Sequence, residues 1–232
     1  MPNKSKSDLR EEVWQEMERQ KQGAFPFPLK GRIPNFKGAK EAARQITVTQ
    51  PFKEAKVLKI NPDTPQKPLR EKALREGKSV IMPAPRLRKG FYLLEDLKEV
   101  SGKAAVKKNV PQYGKIVSPS NLPEVDMIIT GSVAAGKDGS RTGKGHGFAE
   151  IEFGILRETG KVNQHTPIAT TVHDLQLYPA IPMEKHDVPV DLIGTPATLI
   201  TTDSSHPRPE GIYRNLINEE MLQEMPVLRE VI

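Results

Sequence analysis

The chain has 232 residues, 36% hydrophobic and 28% charged, with 35 Lys and Arg against 29 Asp and Glu for a formal net charge of +6. That length and balance describe a globular chain long enough to bury a full core. They exclude a membrane span, because no stretch approaches ~18 uninterrupted apolar residues, and the absence of cysteine excludes disulfides and thiolate chemistry.

The opening Met1-Pro2-Asn3-Lys4-Ser5-Lys6 runs into an acidic amphipathic helix without an apolar signal core, so a cytoplasmic location is expected. Leu9, Val13, Trp14 and Met17 mark the buried face of that helix, with Ser7 as its N-cap and Asp8, Glu11 and Glu12 in its first turn. Pro26, Pro28 and Pro34 then impose an extended connector. A short helix follows over 39–46, a strand over 56–60, and a turn at Asn61-Pro62-Asp63-Thr64-Pro65. Residues 69–75 read as a helix ended by Gly77, and 79–82 as a strand stopped by Pro83. Further strands are expected at 91–94 and 115–117.

A hydrophobic strand over 125–130 leads into the most informative segment, the glycine-rich run from Gly131 to Gly147. Phe148, Ile151, Ile155 and Leu156 then recur at helical spacing, and Gly160 is placed to end the helix. Strand, glycine-rich loop and helix start together form a phosphate-binding arrangement. Glycines let successive N–H groups turn inward, and the helix N-terminus adds about half a positive charge. Arg141 and Lys144 lie within the run and are suited to neutralising an anion. The segment is neither a Walker A sequence nor a dinucleotide fingerprint. Strands at 167–172 and 198–202 and a C-terminal helix over 218–231, interrupted at Pro226, complete the pattern. Strands alternating with helices predict an α/β fold, with a mostly parallel central sheet covered by helices on both faces. A single domain over 1–232 is expected, with residues 1–22 as a helix packed on it.

Charge is unevenly spread. Residues 56–108 hold fourteen Lys or Arg against six Asp or Glu, an excess of +8, so the rest of the chain is slightly acidic. Such an excess points to an anionic ligand or to an ordinary solvated face. RNA is a weaker third reading, because aromatic content is 5% and no RNA-sheet motif occurs.

The run Arg141-Thr142-Gly143-Lys144-Gly145-His146-Gly147-Phe148-Ala149-Glu150 resembles the Arg-Leu-Gly-x-Gly-x-Gly-Tyr-Tyr-Asp motif of 5-formyltetrahydrofolate cyclo-ligases. Lys6-Ser7-Asp8-Leu9-Arg10 resembles that family's opening Lys-x-x-Leu-Arg, and Asp187-Val188-Pro189-Val190-Asp191 fits its order of elements. A second resemblance covers nearly the whole chain. Residues 31–38, 82–90 and 171–174 are similar to the methenyltetrahydrofolate synthase domain-containing branch, some members of which are linked to thiamine metabolism.

The resemblance implies a fold of the ribose-5-phosphate isomerase and CoA transferase type, use of ATP and Mg²⁺, and phosphorylation of the formyl oxygen of 5-formyltetrahydrofolate on the way to the 5,10-methenyl product. It implies that Arg141 and Lys144 contact ATP phosphates and that Gly143, Gly145 and Gly147, with His146 and Phe148, line the nucleotide site. Lys6 and Arg10, on one helix face, would fold over it. Glu150 is either a Mg²⁺ ligand or an acid favoured by the helix dipole. Arg86, Arg88 and Lys89 are candidates for a carboxylate or phosphate of the second substrate, a reduced folate or related metabolite, or else form a solvated cluster. His173, followed by Asp174, serves in substrate binding or as a structural histidine. The chain would act as a monomer or homodimer. The sequence departs from the cyclo-ligase motif at Phe148, Ala149 and Glu150, at Gly136 where many members carry Asp, and over 61–67, where an acidic substrate-contacting stretch is usual.

Overall fold

The computed structural model describes residues 4–232. The leader Met1 to Asn3 lies outside them. Helix α1 spans Lys6–Arg19, and its cap is Ser5 rather than Ser7. Ser5 Oγ accepts from the Asp8 amide at 3.2 Å while the Ser5 amide donates to Asp8 Oδ2 at 3.1 Å. A capping box needs an acceptor three residues on, which Asp8 supplies for Ser5 and Arg10 cannot supply for Ser7.

The proline-rich connector holds a short antiparallel ribbon, β1 (Gly23–Ala24) with β2 (Asn35–Phe36). There follow α2 (Ala39–Thr47), α3 (Gln50–Glu54), β3 (Val57–Ile60), α4 (Lys67–Arg75), β4 (Ser79–Pro83) and β5 (Phe91–Leu94). Helices α5 (Ser101–Ala104) and α6 (Val110–Tyr113) lead to β6 (Lys115–Val117) and β7 (Met127–Gly131). The second half contains β8 (Ala134–Gly136), β9 (Arg141–Thr142), α7 (Phe148–Glu158), β10 (Ile168–Thr171), β11 (Leu177–Tyr178), β12 (Leu192–Gly194), β13 (Leu199–Thr201) and α8 (Glu219–Glu224). The C-terminal helix is broken where expected. Met225, preceding Pro226, takes an extended φ of −125° and ψ of 71°, and a 3₁₀ turn follows over Pro226–Glu230.

The main sheet has the order β13-β12-β10-β7-β3-β4-β5-β6. The five strands β12, β10, β7, β3 and β4 run parallel; β13 runs against them at one edge and β5 at the other, where β6, antiparallel to β5, closes the sheet. This is the expected α/β layering with a mostly parallel sheet, and the antiparallel edges are added by the structure. Alternation along the strands assigns the faces. Leu58, Ile60, Val80, Met82, Met127 and Ile129 pack under α2, α3, α4, α5 and α6. Ile81, Phe91, Ile128, Ile168 and Ile193 meet α7 and the C-terminal segment on the other face. A third apolar cluster seats α1 through Leu9, Val13, Trp14 and Met17 against Ile33, Phe36, Val133 and Ala134.

The chain goes from β3 outward to β4, then returns to the other side of β3 as β7 and continues outward through β10. The sheet order therefore reverses between β3 and β7. Open α/β sheets leave a crevice at the carboxyl ends of the strands at such a point. No helix among the described residues is long and apolar enough to cross a membrane.

Candidate functional site

The glycine-rich run is two structures rather than one loop. Its first part, 134–142, is a buried hairpin. Val133 donates to Thr142 O at 2.8 Å and Gly136 to Ser140 O at 2.7 Å, with the left-handed Gly139 (φ +89°) in the turn. The hairpin joins β11 in a small separate sheet. A Cβ on Gly136 would lie 2.2 Å from Ser140 Oγ and 2.4 Å from Asp138 Oδ1, so no side chain fits there. The space that an Asp at 136 would take is filled by Asp138 instead.

Arg141 therefore sits in a strand and is 1% exposed, not a loop cation. Its Nη1 donates to Glu150 Oε1 at 2.7 Å and its Nε to Ser132 Oγ at 3.4 Å. The guanidinium ties the hairpin to the first turn of α7.

Residues 143–147 form the true loop. Gly145 (φ +92°) and Gly147 (φ +69°) are left-handed, a conformation that costs an L side chain about 1–2 kcal/mol. Among the described residues, no backbone N–H from Gly143 to Gly147 donates to a protein acceptor. Gly147 caps α7 without a side-chain hydrogen bond. These residues line a cavity of about 750 Å³ at the carboxyl ends of β3, β4 and β7.

Of the sequence-derived candidates, Lys6, Arg10, Arg86, Arg141, Gly143, Lys144, Gly145, His146, Gly147, Phe148 and Glu150 all border this cavity. Arg10 Nη1 donates to Thr142 Oγ1 at 3.0 Å, and its guanidinium lies over Gly145, 3.1 Å from where a Cβ would stand. Lys144 Nζ is 3.1 Å from Asp63 Oδ1. Lys6 is clasped by Asp187 and by Glu184, the latter at 3.1 Å, and its hydrogen bond holds the Glu184 carboxyl below the usual range.

Three candidates lie elsewhere. Arg88 and Lys89 are not among the lining residues. The polypeptide between Ala84 and Gly90 folds into a tight turn with Arg86 and Leu87 left-handed, which directs Arg86 and Leu87 to the cavity but not Arg88. His173 caps the 3₁₀ turn Asp174–Gln176. Its Nδ1 accepts from the Leu175 amide at 3.1 Å, and its ring meets Phe36 edge-on at 6.0 Å. Burial lowers its pKa, against the pull of Asp174. Its position is structural.

Several lining residues were not singled out in the sequence: Tyr92 and Glu152 carried no signal, while Asn61 and Asp63 fell in the departing 61–67 stretch and Lys107 in the basic 56–108 segment. Glu152 falls in the apolar run Ile151-Glu152-Phe153, where a lone acid could have drawn notice. Charge around the cavity is nearly balanced, six Lys or Arg facing five Asp or Glu among its lining residues. An anion would therefore be held by the local amides and their nearest cations rather than by a general field. Two carboxylates of the kind a divalent cation takes border the cavity. Glu150 and Asp63 offer hard carboxylate oxygens beside the loop, each with one oxygen engaged by Arg141 or Lys144 and a second left over.

A glycine-loop cavity at the switch point of a mixed α/β sheet lies where open α/β folds take small molecules. The sequence profile of the 5-formyltetrahydrofolate cyclo-ligase family matches residues 2–196, and the chain belongs to that family. It is 41% identical over 234 residues to the methenyltetrahydrofolate synthase domain-containing protein of Bos taurus, and 38% identical to that of Mus musculus. In each comparison 98% of this chain is covered, but only 62% and 63% of the relative, so the chain spans under two thirds of their length. Its fold is similar to that of 5,10-methenyltetrahydrofolate synthetase from Aquifex aeolicus, with TM-score 0.55 and 18% identity, covering 86% of this chain and 93% of that one.

Proposed function

We propose that the chain is an ATP- and Mg²⁺-dependent enzyme of the cyclo-ligase type, with 5-formyltetrahydrofolate as its leading substrate and the 5,10-methenyl compound as product. The observation that carries this reading is that residues 143–147, whose backbone amides have no protein acceptor among the described residues, line the switch-point cavity. Five main-chain donors at a helix N-terminus are suited to phosphate oxygens. Lys144 and Arg10 add positive charge beside them, while buried Arg141 keeps Glu150 in place.

Glu150, with Asp63, would hold Mg²⁺, which when bound neutralises charge on the phosphate oxygens. The protein's part is to align the terminal phosphate with the formyl oxygen and to keep water out. Transfer of that phosphoryl group makes the formyl carbon electrophilic. Attack by the folate's neighbouring nitrogen then expels phosphate and closes the ring. Such catalysis rests on positioning and charge neutralisation rather than on a covalent enzyme intermediate. The antiparallel edges around a parallel core support a wider relationship to ribose-5-phosphate isomerase and CoA transferase folds.

A second reading keeps the ATP site and changes the acceptor, as in thiamine-linked members of the branch. The replacement of the motif's two tyrosines by Phe148 and Ala149 favours it.

Purified chain incubated with ATP, Mg²⁺ and 5-formyltetrahydrofolate should develop the methenyl chromophore. ATP binding without product would remove the folate and leave the second reading. Failure of ATP to bind would remove both.

A further inference from the structure

Lys59 lies at the centre of the main sheet, in register with Ile81 on β4 and Ile128 on β7, on the face covered by α7. An alternating strand predicts an apolar residue there. Lys59 is instead 2% exposed and pairs with Glu152 of α7, itself 4% exposed. Burying two charges is expensive, and well-packed apolar residues of similar size often give equal or greater stability. Stability is therefore a poor explanation for the pair.

Both charges close on Asn61, the residue that follows β3. Lys59 Nζ donates to Asn61 Oδ1 at 2.8 Å, and Asn61 Nδ2 donates to Glu152 Oε2 at 3.1 Å. The Asn61 amide donates to Ile129 O of β7 at 3.0 Å, and its carbonyl accepts from Arg70 Nη1 at 2.6 Å. Each polar group of this buried residue is thus engaged within the protein, so Asn61 is built to be held rather than to reach a ligand.

Pro62 fixes its own φ and restricts Asn61 to extended backbone, so the placement of Asn61 is passed on to Asp63. Asp63 Oδ1 in turn meets Lys144 Nζ of the glycine loop at 3.1 Å. Lys59, Glu152, Asp63 and Lys144 therefore make two ion pairs, joined through Asn61 and Pro62. Burial pushes the Glu152 carboxyl up and Lys59 opposes it, with Asp63 adding to the rise and Asn61 to the opposition. The two carboxyl groups disfavour each other's charge, and the ties to Asn61 hold Asp63 in place against that.

We infer that Lys59 and Glu152 are positioning residues: acting through Asn61, they fix the Asp63 carboxylate against Lys144 and so set the gap between the end of β3 and the glycine loop before a ligand arrives. Such preorganisation is the use to which a fully connected buried polar network is suited. Its effect on ligand affinity rests on the reading of the glycine loop as a nucleotide site; its effect on the wall of the cavity does not.

The test uses the full chain in two variants. Lys59→Met/Glu152→Met removes the charged pair and leaves Asn61, whereas Asn61→Ala keeps the pair and cuts its link to Asp63. In the ligand-free native chain, backbone ¹⁵N relaxation should give order parameters of about 0.85 at Asp63 and Lys144, and both variants should bring them below about 0.6 while β3 and α7 stay rigid. ATP affinity, titrated by calorimetry, should fall about tenfold in each variant. In an Asp63→Asn background the double substitution should cost no further affinity, because the pair acts through that carboxylate. A merely structural pair would shift the urea midpoint and leave the local order parameters alone. Order parameters at Asp63 and Lys144 that match in native and variant chains, or a full additional loss of affinity in the Asp63→Asn background, would overturn the inference. Should the double variant not fold, Asn61→Ala decides. Failure of the native chain to bind ATP would strike the nucleotide reading alone, since the relaxation measurement needs no ligand.

Discussion

The Nζ of Lys144 lies 3.1 Å from Oδ1 of Asp63, joining the glycine loop to the end of β3 across 81 positions of sequence. The other oxygen of Asp63 rests on the end of β7, where a Cβ on Gly131 would stand only 2.8 Å away. From the loop that follows β3, one carboxylate thus links the glycine loop to the end of β7. Its own loop is held from below by Arg70, whose buried guanidinium donates to the carbonyls of Asn61 at 2.6 Å and Asp63 at 3.0 Å. Burial lowers the Arg70 pKa to about 10.

Lys144 is the cation to change without harming the fold. Its side chain is 35% exposed, so the pair with Asp63 contributes at most about 1 kcal/mol. In Lys144→Ala, calorimetry should show ATP affinity reduced tenfold or more while the urea midpoint hardly moves. Unchanged ATP affinity would take Lys144 out of the site.

Arg141 should behave in the opposite manner. Removing its side chain leaves Glu150 and the hairpin without their buried partner, a loss of roughly 3–5 kcal/mol. Urea denaturation of Arg141→Ala should show an unfolding free energy lower by that amount. A variant as stable as the native chain would mean that the guanidinium is not a structural tie, and that its place in the site is directly for phosphate.

Gly145→Ala and Gly147→Ala separate backbone strain from crowding. Both residues are left-handed, but a Cβ meets Arg10 at 3.1 Å in the first and nothing within 4 Å in the second. Each should lose about 1–2 kcal/mol of stability from strain. Gly145→Ala should also displace Arg10 and lose more ATP affinity than Gly147→Ala. Equal affinity losses would show that Arg10 takes no part.

His173 predicts a pH dependence. Its folded pKa is depressed below the ordinary value near 6.5 by burial, opposed by Asp174, and its Nδ1 lone pair caps the Asp174–Gln176 turn. Its contribution is therefore complete above pH ~6.5 and is lost as pH falls through the depressed folded value. Thermal melts from pH 8 to 5 should show a decline that His173→Asn, able to cap without titrating, removes. An identical decline in that variant would assign it to other groups.

Much of the architecture was legible in the chain. Apolar periodicity located α1, α4 and α7, runs of β-branched residues located β3, β4, β7 and β10, and Gly160 ended α7 where expected. These are local signals, set by backbone stereochemistry and by which face must leave water. The shorter α3, α5 and α6 have too few turns for a period to emerge, and β12 is three residues long.

Composition and spacing alone established that the chain is a layered α/β protein with a glycine-framed loop before a helix, and the motif residues marked its family. Only the tertiary structure decided that Arg141 is a buried tie, that Gly136 closes a hairpin, and that Lys59, Asn61 and Glu152 meet at the cavity. Those facts depend on contacts between positions up to 93 residues apart. No local pattern encodes such a meeting, because which charge faces which is settled by strand order and register, after the elements themselves have formed.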